Sequence, residues 1–308
     1  MWSNMWSKAI LDQSRGEVKY KRTTRYISMG YYTRKNRKKQ SKLLPDAVAN
    51  DPGVVYDRRE VISLEKKGIS QETLKLIACI TMLLDHIGAV FVRGYTLRII
   101  GRIAFPIYCF LLAEGAVHTK NPRKYAFRLF IGMLLSEIPF DLALKGGLTW
   151  SNQSVMVTLL LGFLAIELLN VTKWDWLKLL IVGAFCGLAE WANTDYGGFG
   201  VLLIVLFSQT RGKLWLQALL LTLVAWMMNS VRIPVFGYRI PIELFAVLAM
   251  IPIAFYSGRK ATSCKAVQVG FYLFYPVHLT GIFLAEVVYT SMQTGASFWQ
   301  VLTSCFLK

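Results

Sequence analysis

Charge is scarce in this chain of 308 residues. Asp, Glu, Lys and Arg together make up 17%, against about a quarter in soluble domains. Acids are the scarcer sign, with 18 Asp and Glu against 35 Lys and Arg. With 55% hydrophobic residues, that shortage argues against an ordinary water-facing enzyme. The five cysteines form no C-x-x-C pair, and Cys79, Cys109 and Cys186 lie in apolar runs, which excludes a disulfide framework and a zinc site. The three histidines, His86, His118 and His278, stand too far apart for metal-ligand spacing, so no metal is expected. No short apolar core with a cleavage site opens the sequence, so no signal peptide is expected. After residue 73 there is no long Gly/Ser or Pro linker and no repeat, and 73–308 reads as one membrane domain.

What the chain does have is segregated. Residues 1–72 are basic and lack sustained periodicity, with the run Arg34-Lys35-Asn36-Arg37-Lys38-Lys39. Such a run suits a nucleic-acid patch or a cytoplasmic tail lying near anionic headgroups. No aromatic-basic fold motif accompanies it, so the tail reading is preferred and no nucleic-acid partner is expected. From 73 onward, apolar runs alternate with short polar connections at 74–92, 98–116, 126–144, 154–171, 175–191, 198–209, 214–229, 240–256 and 267–290. A spanning helix needs about 20 mainly apolar residues. The fold expected is therefore all-α, a polytopic bundle of about nine spans in a lipid bilayer. With the tail cytoplasmic, the inner connections carry eleven Lys and Arg against five outside. That bias obeys the positive-inside rule and predicts a multi-pass membrane protein with its N-terminus in the cytoplasm.

The run Leu74–Val92, LKLIACITMLLDHIGAVFV, carries Asp85 and His86 side by side. Ionisable groups at membrane depth are expensive and persist where they have partners or chemistry. Other spans bring polar residues to the same outer depth: Arg98 and Arg102, Glu137 and Asp141, Asn152 and Gln153, then Glu190, Asn193, Asp195 and Tyr196, and finally Arg232, Arg239 and Glu243. Turned inward, they would line a wet chamber. On the cytoplasmic side Lys75, Lys120, Arg123 and Lys124 suit a phosphate-rich ligand. Lys75 and His86 are eleven residues apart, about 16 Å along a helix, so a long cofactor could touch cations with its phosphates and His86 with its reactive end. Pro106 and Pro139 predict bends, and Pro276 places His278 beside another.

LKLIACITMLLDHIGAVF, LRIIGRIAFPIYCFLLAEGAVHTKNPRKYAFRL, SEIPFDLAL, AEWANTDYGGFGVLLI and FYLFYPVHL resemble, in this order, the TraX family of membrane proteins over roughly 73–290. The resemblance implies a polytopic inner-membrane protein linked to N-acetylation of conjugative pilin. It also implies kinship with membrane acyltransferases that use cytoplasmic acyl-CoA, many of which carry Arg-x10-His on an early helix. Lys75 stands where that arginine would be, and His86 matches the histidine.

Acyl transfer needs a base for the acceptor and a way to hold the oxyanion. His86 is expected as base with acetyl-CoA as donor; a histidine bridging two helices is the alternative. Asp85 neighbours it but points about 100° away on a helix, toward a different partner. Arg102 or an asparagine is the candidate to meet developing negative charge. Glu114 and Glu137 are candidates to hold arginines, and His278 is either a second acid/base or a satisfied core histidine. Glu114, Glu137, Asp141, Asn152, Glu190, Asp195 and Tyr196 are candidates to meet the acceptor. A pilin amine, another peptide or a glycan hydroxyl would serve as acceptor. A transporter or flippase with a polar pathway shares the buried charges, and an accessory protein docking partners through its basic tail is a further class.

Overall fold

Ser70 starts the helical part of the chain. Its hydroxyl accepts from the Thr73 N–H at 3.1 Å and caps α1, Gln71–Val90. The computed structural model describes residues 68–306, apart from 93, 150, 229–230, 236 and 260–263. The basic run at 34–39, and nearly all of the expected tail, lie outside the described residues.

The second apolar segment, Thr96–His118, is broken into α2 (Thr96–Gly101) and α3 (Ala104–His118). The break falls at Arg102–Ile103, where Pro106 has no N–H to give the Arg102 carbonyl. α4 (Pro122–Lys145) begins with the Asn121 side chain accepting from the Lys124 N–H and Pro122 at its first position. It ends at Gly146, whose φ of 70° is left-handed. Pro139 sits inside α4, and the helix runs through it. α5 (Val155–Val171), α6 (Asp175–Trp191), α7 (Gly197–Gln209) and α8 (Leu214–Met227) follow.

An antiparallel hairpin comes next, β1 (Arg232–Val235) with β2 (Tyr238–Pro241), paired Arg232 to Pro241 and Val235 to Tyr238. A 3-10 helix, Ile242–Ala249, leads into the short α9, Met250–Ala254. α10 (Lys265–Thr294) contains Pro276, and α11 (Phe298–Phe306) closes the described chain.

α1 packs on α2, α3 and α10, and α10 packs on α4. α5 lies between α4, α6 and α7, α3 lies against α5 and α7, and the 3-10 helix lies against α8 and α3. Leu74, Ile107, Ala165, Ile166, Val201, Ile204, Phe207 and Leu279 are fully enclosed at the centre.

Among the described residues the protein is mostly helical, and three helical segments are long and apolar enough to cross a membrane: Gln71–Val90, Thr96–His118 and Ala266–Thr294. Four shorter apolar helices span Val155–Val171, Gly197–Gln209, Leu214–Met227 and Ile242–Ala254. Nine spans are not established. The stretch expected as a span at 240–256 is part strand, part 3-10 helix and one turn of α-helix. Pro241 and Pro252 each lack a donor, and Pro252 leaves the Leu248 carbonyl without its usual helical partner. The hairpin and α11 are additions to the expected all-α bundle.

The outer faces are greasy. Leu134, Leu135 and Ile138 on α4, Leu179 and Leu180 on α6, and Leu219 and Leu223 on α8 are exposed. So large an apolar surface suits hydrocarbon rather than water. Exposed tryptophans bracket two helices, with Trp174, Trp176 and Trp191 around α6 and Trp215 and Trp226 on α8. Tryptophan concentrates at the two interfaces of a bilayer.

Close approach of α5 and α7 depends on Gly162. A Cβ there would lie 2.5 Å from Ile204 Cδ1, 2.8 Å from its Cγ2 and 3.0 Å from its Cβ. Rotating the side chain relieves the first contact but not the last. Gly162→Ala is therefore expected to cost about 1–3 kcal/mol by overpacking. Denaturant unfolding in detergent or bilayer should show that loss, and an unchanged midpoint would contradict the packing.

Candidate functional site

Asp85 and His86 are consecutive on α1 and so face different walls. Asp85 turns to the α2–α3 break. Its Oδ2 accepts from Arg102 Nη2 at 2.5 Å, and its Oδ1 lies 3.1 Å from Arg98 Nε. Arg98 and Arg102 share a face because they are four apart. Arg102 is buried and reaches onward, with Nη1 3.0 Å from Glu243 Oε1 at the start of the 3-10 helix. One guanidinium thus ties three elements. Breaking such a buried pair by removing one partner is strongly destabilising. Gly101 lets the helices come this close, since a Cβ there would fall 2.2 Å from the Asp85 Cβ.

His86 turns to α10. Its Nδ1 lies 2.7 Å from His278 Nε2, and the two rings are parallel within 2° with centroids 5.0 Å apart. The nitrogens are much closer than the centroids, so the rings meet edge to edge in nearly one plane. His278 Nδ1 donates to the Phe274 carbonyl at 2.7 Å. The Phe274 ring lies over His278 at 4.8 Å, and Tyr275 stands edge-on to both imidazoles, at 6.1 Å from His86 and 5.5 Å from His278. Both histidines are buried.

A cavity of about 330 Å³ runs along α1 and stops short of this pair, with neither His86 nor His278 among its lining residues. Its polar end includes Lys75, Glu114, His118 and Arg128, its walls Leu111, Leu129 and Leu159, and its far end Met82, Tyr108 and Tyr275. Lys75 Nζ lies over the Phe271 ring at 5.3 Å, and the Arg128 guanidinium over Tyr125 and Tyr272 at 5.5 and 5.9 Å. Such cation–π contacts help to hold a cation in place. Glu114 is engaged in a two-point ion pair with Arg211, at 2.5 and 2.8 Å. Met82 is one helical turn from His86, and Tyr275 touches both the cavity and the imidazole pair.

The TraX protein family matches residues 70–286. The chain belongs to the TraX family. It is also 30% identical over 233 residues to a protein named probable fimbrial assembly protein FimC, serogroup H1, from Dichelobacter nodosus; the match covers 67% of this chain and 91% of that relative. No solved structure matches.

In this TraX-family chain the residues singled out by sequence divide into three groups. Asp85, Arg102, His86 and His278 are brought together around α1. Lys75 lines the cavity, whereas Lys120, Arg123 and Lys124 are exposed and do not line it. Several acids hold backbone instead of arginines or a chamber. Glu137 accepts from the Ser154 hydroxyl at 2.7 Å and its N–H at 3.3 Å, Asp141 from the Thr149 N–H at 3.0 Å, and Glu190 from the Gly198 N–H at 2.8 Å. These bonds satisfy donors at the starts of α5 and α7 and in the loop before them. Asn152 is half-buried in that loop, beside the bridge between Gln153 and Thr194. Tyr196 stacks on Phe105 with centroids 3.6 Å apart. Sequence reasoning passed over Arg128 and the phenols Tyr108 and Tyr275 as cavity residues. Tyr125 and Arg128 are three apart on one helical face, which is the signal that was there to find.

Asp195 lies in the α6–α7 connection. Solvent reaches its side chain, but within a recess crowded by protein. Burial, chiefly, pushes its carboxyl from an ordinary 3.8 up to about 6; Arg102 and Lys145 oppose this, and Asp85 and Glu243 reinforce it. The folded chain therefore holds this proton more tightly than the unfolded chain, and stability falls as pH rises from about 4 to about 6. Solvent access keeps the effect small. Asp195→Asn, which cannot ionise, should flatten that part of the thermal-stability profile. Parallel wild-type and variant profiles between pH 4 and 6 would contradict it.

Proposed function

We propose that this chain is a multi-pass inner-membrane acetyltransferase that moves an acetyl group from cytoplasmic acetyl-CoA to an amine or hydroxyl, with His86 as base. The observation that carries the reading is the cavity that begins among cations and ends at Tyr275, whose ring stands edge-on to both buried imidazoles. Its donor set fits the ligand class. Lys75 and Arg128 would meet phosphates, and the apolar walls would meet a narrow pantetheine-like arm. Lys75 supplies a point charge without the two-pronged fork of arginine, and Arg128, absent from the Arg-x10-His comparison, adds such a fork at the same mouth. The polar end of the cavity lies on the side of Lys120, Arg211 and Arg259, which the positive-inside rule assigns to the cytoplasm. We place residues 1–72 on that side, as a tail outside the membrane domain 73–308, and read the shorter apolar helices as further crossings.

Acetyl-CoA supplies an activated thioester carbonyl. The chain's part is proton traffic and positioning. His86 takes a proton from the acceptor as its nitrogen or oxygen bonds to the acyl carbon, and returns it to the sulfur as the carbon–sulfur bond breaks. Arg102, held on both sides by carboxylates, keeps Asp85 in place rather than meeting the oxyanion. Tyr275, edge-on to both imidazoles, is the phenol we assign to that task.

The acceptor proposed is the N-terminus of a pilus subunit. Two lines support it: the TraX membership, and the fimbrial assembly named for the Dichelobacter relative. A transporter would share the buried charges, but a cavity that stops at Tyr275 suits delivery to a reacting group.

Release of free CoA by the full-length protein in lipid nanodiscs, with acetyl-CoA and a pilin N-terminal peptide, tests the reading. His86→Ala should lower the rate by about 10²–10⁴-fold, the usual worth of a positioned base, in protein that still folds into the membrane, at a lowered unfolding midpoint because a buried, hydrogen-bonded ring is lost. Undiminished transfer would reject His86 as base.

A further inference from the structure

We infer that His278 is a positioning residue that fixes the tautomer of His86, so that Nε2 of His86 is the nitrogen that takes the acceptor proton. This rests on the transferase reading above.

The Phe274 carbonyl has no hydrogen to give, so the 2.7 Å contact with His278 Nδ1 requires a proton on that nitrogen. In a neutral imidazole only one nitrogen carries hydrogen. Nε2 of His278 therefore presents a lone pair, and it presents it to His86 Nδ1 at 2.7 Å. Two lone pairs do not approach that closely, so His86 Nδ1 must be the donor. The remaining nitrogen of His86, Nε2, is then the basic one. The rings' shared plane, parallel within 2°, is the alignment an in-plane N–H···N bond needs.

The arrangement works like a catalytic triad whose third member is neutral. In serine proteases a carboxylate holds the Nδ1–H of the base and sets its tautomer. Here the carboxylate next in sequence, Asp85, is turned away to Arg98 and Arg102. An imidazole anchored on a backbone carbonyl takes the same place. When His86 accepts a proton at Nε2, its Nδ1–H stays bonded to His278, and the positive charge is met by two aligned dipoles, the His278 ring and the Phe274 carbonyl. Phe274 stacked on His278 keeps that ring from rotating out of line.

The test reads the tautomer directly. The chain has three histidines, so uniform 15N-histidine labelling followed by solid-state NMR in lipid bilayers gives three ring signatures, and His118→Asn assigns the exposed one. The His86 ring should show hydrogen on Nδ1 and none on Nε2 in the wild type. That signature should be lost or mixed in His278→Leu and kept in His278→Gln, whose amide oxygen accepts near the place of Nε2. Transfer by His278→Leu should fall between about tenfold and 10⁴-fold, the latter being the cost of a wrong tautomer in a serine protease, with His278→Gln recovering part of the loss. Hydrogen on Nε2 of wild-type His86, or a His86 signature unchanged in His278→Leu, would overturn the relay. Wild-type protein that shows the expected tautomer but transfers no acetyl group would instead reject the transferase reading and leave the relay standing.

Discussion

The ion pair between Asp85 and Arg102 governs how α1 sits. A carboxylate cannot be left alone at membrane depth, so α1 must turn Asp85 toward the α2–α3 break, where Arg98 and Arg102 are presented. Once that rotation is set, the next residue has no freedom. His86 must point about 100° away, into the wall formed by α10, where His278 waits. Everything the site can do chemically follows from this division of two adjacent polar residues between two partners. The same arginine extends the constraint to the 3-10 helix through Glu243. The 3-10 helix that takes up much of the expected eighth span thus delivers a carboxylate to the centre of the bundle.

Much of the architecture was legible from apolar runs alone, because a lipid-facing helix advertises itself by length and composition. α1, α3, α4, α5, α6, α7, α8 and α10 fall within a few residues of where the runs place them. The failures share a physical cause. At 240–256 hydropathy is high, but Pro241 and Pro252 withhold donors, and hydropathy is blind to hydrogen bonding. α11 is too short and too mixed to register as a run. The break at Arg102–Ile103 could be foreseen because Pro106 names the carbonyl it abandons; Pro139 and Pro276 abandon theirs as well, yet α4 and α10 run through them.

The site was only partly legible. Spacing places Asp85 and His86 on different faces and Arg98 and Arg102 on one, and those relations are local. What they meet is not local. Glu137 and Asp141 look like the acids of a chamber when read along α4. In three dimensions they hold the N–H groups of Ser154 and Thr149. The exposed Lys120, Arg123 and Lys124 form the denser basic cluster in sequence, while Arg128, one turn further on, is the cation that reaches the cavity. A cavity is a property of several helices at once, so no single run of residues announces it.

The account stands or falls on the strength with which Asp85 and Arg102 depend on each other. A double-mutant cycle of Asp85→Asn, Arg102→Met and the pair, followed by reversible unfolding in bilayers or mixed micelles, measures that dependence directly. The account predicts a coupling energy in the upper part of the range of about 0.5–3 kcal/mol seen for residues in contact, with the double variant more stable than the sum of the single losses requires. Single losses that simply add would mean that the two side chains do not hold each other, and that something other than this ion pair sets the face of α1.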